Sequence, residues 1–194
     1  MAASAALSGA TALPASAATP TPTGYYEATA TGGVFAFGGA ALDGSPAASQ
    51  LTLSSSIVAV VGTPTGKGYW LVGADGGVFT YGDAGYFGAV PGVTTKKLVS
   101  PIVAAAATPT GKGYWLVAGD GGVFAFGDAG YEGSLPALHL KPASPIVGIA
   151  ATPTGKGYWL VGADGGVFTY GDAPFSGSEG GTRLNAPMVG IAGF

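Results

Sequence analysis

The chain has 194 residues, 47% hydrophobic and 9% charged, with a formal net charge of −3, 37 glycines, 14 prolines and no cysteine. That balance argues against disorder, which needs low hydrophobicity and high net charge, and against a helical fold, which so many helix breakers would interrupt. It excludes disulfides and thiol chemistry, and the seven Lys and Arg, with Lys96–Lys97 the only adjacent pair, lack the clustering that nucleic-acid binding needs.

Residues 1–23 are rich in Ala, Ser, Thr and Pro, and Ala15-Ser16-Ala17 has the small-x-small form of a signal-peptidase site. They read as the end of an export signal peptide, or as an Ala-rich leader, outside the fold. No stretch of 18 consecutive large apolar residues exists, so no spanning helix is expected.

From Gly24 onward the chain repeats itself. "GYWLVGADGGVFTYGDA" at Gly68–Ala84 returns unchanged at Gly157 and as "GYWLVAGDGGVFAFGDA" at Gly113, and "GYYEATATGGVFAFGGA" at Gly24 is a divergent copy. Trp70, Trp115 and Trp159 mark a period of 44 to 45 residues, with Tyr26 in their place in the first copy. That period suits a four-stranded propeller blade. Each unit is expected to hold an Ala- and Gly-rich strand beside the central channel ("IVAVVGTP"), then "GYWLVGA", a "DGG" hairpin turn, "VFTYGDA", and a short fourth strand such as "GYFGA". The first copy lacks the small-residue strand, and Met188–Ala192 supplies one with nothing after it. The expected fold is therefore all-β, a small propeller over residues 24–194 with four four-stranded blades, the C-terminal strand completing the first. The alternatives are half of an eight-bladed ring made by two chains and a piece of a longer repeat array; the single-chain monomer is preferred.

The pattern "GYWLV…DGGVF…GDA…PIVGIAATPTGK" resembles a tandem repeat of secreted and cell-wall proteins of high-GC Gram-positive bacteria. Its two halves are also similar to regulator-of-chromosome-condensation repeats and NHL-type blades. The resemblance implies a propeller and a secreted or cell-wall location, and it brings no catalytic residues.

Catalysis has little to stand on. His139 is the only histidine, and no nucleophile elbow surrounds a serine. The repeated Asp75, Asp120 and Asp164 open tight turns, and Asp83, Asp128 and Asp172 precede bends, so both sets read as structural. One carboxylate per turn is too few for a calcium loop, and neither metal nor cofactor is expected. Lys67, Lys112 and Lys156 are expected to form surface ion pairs with the second set. The loops that differ between copies should gather on one rim with the "DGG" turns, as binding loops on a rigid scaffold do. They carry Lys96, Lys97, His139, Lys141, Arg183 and Asn185. Tyr86 and Tyr131 are candidates for stacking on a sugar. The leading expectation is a secreted, non-enzymatic module that binds a surface glycan or a protein partner. The alternatives are a hydrolase with a carboxylate site in the channel and a passive spacer.

Overall fold

The structure is a computed structural model and describes residues 23–94 and 97–193. The export-signal reading, Lys96 and Phe194 lie outside the described residues.

The described chain is nearly all β. Strands β1 (Gly24–Ala28) and β2 (Val34–Gly38) form a two-stranded sheet. Three three-stranded antiparallel sheets follow: β3 (Ile57–Gly62), β4 (Gly68–Gly73) and β5 (Val78–Gly82); β6 (Ile102–Ala107), β7 (Gly113–Ala118) and β8 (Val123–Gly127); β9 (Ile146–Ala151), β10 (Gly157–Gly162) and β11 (Val167–Gly171). Among the described residues helix is limited to one turn at Val90–Val93 and one 3-10 turn at Pro136–Leu138. No helix among the described residues is long and apolar enough to cross a membrane.

In each full unit the "GYWLV" strand is central and almost wholly buried. The Ala- and Gly-rich strand flanks it on one side and the aromatic strand on the other. Side chains alternate across a strand, so the pairs Tyr69↔Tyr81 and Leu71↔Phe79 share one face. The "DGG" turns use a glycine in the left-handed region. At Gly76 φ is +80°, and a Cβ there would lie 2.6 Å from Val90 Cγ2, so the returning loop closes directly over the turn.

The core is divided into three clusters, and each sits between successive units. One joins Tyr26 and Val34 to Ile57, Tyr69 and Leu71. The next joins Trp70 and Val72 to Ile102, Tyr114 and Phe126. The third joins Trp115 and Val117 to Ile146, Tyr158 and Tyr170. The small-residue strands also succeed one another, β3 against β6 and β6 against β9, while β1, the counterpart of the "GYWLV" strand, lies against β3.

Two expectations fail. The "GYFGA" and "GYEGS" segments form no fourth strand, so each full sheet has three. Side chains take their carbonyls instead: Trp70 Nε1 donates to Gly85 O at 2.7 Å and Tyr114 Oη to Gly88 O at 2.6 Å. The C-terminal residues Met188–Ala192 form no strand and do not pair with β1. Instead Gly190 and Ile191 lie against Gly148 of β9, and the Met188 N–H donates to Ala163 O at 2.9 Å. That bond repeats Ile57 to Ala30, Ile102 to Ala74 and Ile146 to Gly119. The segment thus starts a fifth unit beside the fourth. Among the described residues, no more than marginal contact joins β9–β11 to β1–β2.

Candidate functional site

Antiparallel pairing gives each unit two ends with different chemistry. At one end the "TPTGK" turn meets the "GDA" bend. Thr63 and Thr65 donate their hydroxyls to the two carboxylate oxygens of Asp83, at 2.8 and 2.5 Å. Thr108 and Thr110 do the same for Asp128, at 2.9 and 2.5 Å, and Thr152 and Thr154 for Asp172. The Thr154 and Thr152 hydroxyls hold the Asp172 carboxyl below its ordinary value, and Lys156 adds a smaller electrostatic contribution. Threonines, rather than the expected lysine ion pairs, satisfy these aspartates. The signal was present in the sequence, since each "TPT" stands 18 and 20 residues before its aspartate.

At the opposite end Asp75, Asp120 and Asp164 each accept the N–H two residues on, at 3.0 Å, which fixes the "DGG" turn. The first unit has Thr31 in this place, and Thr29 Oγ1 accepts from the Gly33 N–H at 2.9 Å instead. The variable loops return here: the Val90, Leu135 and Glu179 N–H groups donate to Gly76, Gly121 and Gly165 O. Loops and turns therefore share one rim.

Among the clefts on that rim, two flank the loop that carries Lys97. The larger, of about 810 Å³, lies between the first two loops and is lined by Ser54, Asp75, Val90, Lys97, Leu98 and Val99 among others. The second, of about 400 Å³, lies on the far side of the same loop and includes Lys97, Val99, Asp120, Phe124 and Ser134. Lys97 and Val99 line both, and Val99 is 94% exposed. Among the described residues each cleft sets Lys97 and one carboxylate, Asp75 or Asp120, beside the apolar Leu98 and Val99.

The other expected residues are spread out. Lys141, Arg183 and Asn185 are exposed and line neither cleft. His139 caps the 3-10 turn with φ +55°, its N–H donating to Pro136 O at 3.0 Å. Its position is accounted for by backbone geometry. Tyr86 and Tyr131 are 61% and 54% exposed on the segments that follow β5 and β8. Leu42 and Phe175 stand at the same place in the first and last units and are exposed too. Each cleft has one lining carboxylate, Asp75 or Asp120, short of the pair that glycoside hydrolysis uses. Among the described residues no three His, Asp or Glu come together as metal ligands. Ser54, Leu98 and Val99 carry no repeat signal, so the sequence offered no reason to single them out.

No family model matches the chain, and no curated protein matches it. Solved structures do. One is Sqt1 from Chaetomium thermophilum, a propeller-type WD40 protein, bound to the N-terminus of the ribosomal protein L10. The match has a TM-score of 0.59 at 16% identity and covers 89% of this chain and 50% of that one. The fold is propeller-like. The chain spans half the length of that protein.

Proposed function

We propose that the chain is a non-enzymatic binding module that takes a segment of a protein partner on its "DGG" rim. The observation that carries this reading is the pair of clefts flanking Lys97 and Val99, apolar enough to hold side chains and with a cation to orient them. The structurally similar Sqt1, bound to a protein N-terminus, supports a peptide-like ligand. A secreted or cell-wall setting rests on Ala15–Ala17 and on the repeat's resemblance to exported proteins. Of the two ring closures the repeat allows, four units in one chain or eight from two, the exposed aromatic ends favour the second.

A second reading, glycan binding, is favoured by the row of exposed Tyr86, Tyr131 and Phe175, one per unit, since aromatic faces stack on sugars. The two readings separate experimentally. Peptides selected by display on the full chain are expected to lose at least tenfold in affinity on the double change Lys97→Glu, Val99→Asp, with circular dichroism unchanged. Failure to select any peptide overturns the protein reading. A glycan array signal that survives this change and is lost on Tyr86→Ala with Tyr131→Ala establishes the glycan reading in its place.

A further inference from the structure

The junctions between units are built from one recurring set of contacts, and the two ends of the chain each carry half of it. At the junction between the second and third units Trp70 lies 5.7 Å from Tyr114, ring to ring. The Tyr114 hydroxyl donates to Gly88 O at 2.6 Å, and the Phe126 ring covers Gly88. The next junction repeats this with Trp115 and Tyr158 at 5.7 Å, Tyr158 Oη to Gly133 O at 2.6 Å, and Tyr170 over Gly133. The first junction uses Tyr26, Tyr69, Gly44 and Tyr81 in the same places.

The corresponding residues at the start are Tyr25 and Phe37. They stack on each other at 5.0 Å and are 58% and 41% exposed, with Phe35 beside them. At the other end stand Trp159 and Gly177, the former only half-buried and the latter with no atom close to where a Cβ would project. Each end also has a cavity of about 310 Å³. One lies beside β1, between Tyr25, Tyr26, Val60 and Gly62. The other lies between Trp159, Val167, Gly177 and Ile191.

We propose that a second copy of this chain covers both ends, the two copies joining head to tail into one ring. Tyr25 of each copy would lie on Trp159 of the other and donate to Gly177 O, with Phe37 over that glycine. Met188–Ile191 of each copy would run beside β1 of the other, in the cavity next to Val60. The occupant is a second copy because, among the described residues, each end carries the half of the contact set that the other end complements, in the contacts the chain already makes three times. The arc also matches half the length of a larger propeller protein. A head-to-tail contact closes into a ring only if its rotation fits, and an arc of half a ring closes with two copies.

The test is the mass of the full chain by light scattering. Twice the 18.7 kDa chain mass is expected. A monomer, or open-ended polymers that grow with concentration, overturns the proposal. The head change Tyr25→Arg with Phe37→Arg, and separately the tail change Ser176→Arg, are each expected to give monomers. All three residues are exposed, so circular dichroism should stay as in the parent. Mixing the two variants restores a dimer through the one intact head and one intact tail. If the head variant stays dimeric while folded, or the mixture stays monomeric, the head-to-tail arrangement is wrong.

Discussion

Tryptophan does different work in successive units. Trp70 and Trp115 are 1% and 0% exposed, each with its indole N–H bonded to a glycine carbonyl and its ring against the next unit's tyrosine. Replacing either by alanine removes a fully packed aromatic, which costs about 3–5 kcal/mol. Trp159 keeps the indole bond, to Pro174 O at 2.8 Å, but has no following tyrosine within its own chain. Trp159→Ala should therefore cost clearly less than Trp115→Ala in urea unfolding of a chain held monomeric by Ser176→Arg. Equal costs would mean that the inter-unit contact contributes little. His139 shows the opposite side of residue-scale reasoning. As the only histidine in a variable loop it reads as a binding candidate, and alanine reads as a harmless replacement. Its φ of +55° gives the position a backbone role, because the left-handed region costs a residue with a Cβ about 1–2 kcal/mol and asparagine tolerates it better. Histidine already bears that cost, so His139→Ala should be close to neutral and His139→Asn neutral to slightly stabilising, as thermal melts can show.

At the scale of the element, the strands were legible because their patterns are strong. "GYWLV" is apolar on both faces and is buried on both, and "VFTYG" puts its aromatics in register with it. The fourth strand was misread because "GYFGA" has strand-like residues, but indole and phenol donors capture its carbonyls. Which side chain reaches which carbonyl depends on how units dock, and a strand's own residues do not state that. The rim cleft was half legible for a similar reason. Variable loops marked the rim and Lys97, but the apolar lining comes from residues that meet only after the loops fold over the turns. The turn glycines tie the two together. Gly76→Ala combines left-handed strain of about 1–2 kcal/mol with overpacking against Val90, typically about 1–3 kcal/mol. Urea unfolding should register that loss, and ligand capture at the Lys97 cleft should weaken with it because Val90 is displaced. An alanine variant of parent stability would show that the loop does not close over the turn in solution.

The whole molecule is a row of thin sheets whose core lies between them rather than within them. A unit is then stable only through its neighbours, and stability varies along the row as in other repeat proteins. The middle of the row has two neighbours and the β1–β2 sheet has one. Amide hydrogen exchange should be slowest in β4 and β7, whose residues are buried throughout, and fastest in β1 and β2 for a chain kept monomeric by Ser176→Arg. Ring closure by a second copy would change that order. β1 would gain an inner partner strand, and Tyr25 and Phe37 would be covered, so exchange in β1–β2 should slow as parent protein concentration rises, while β7 stays unchanged. Two outcomes separate a property of the unit from a property of the row. If β1 and β2 are as protected as β7 in the monomeric variant, the first unit is stabilised from within the chain and the inter-unit account of its weakness fails. If they are weak in the variant and protected in the parent, the same aromatic junction that holds the interior together also joins the ends.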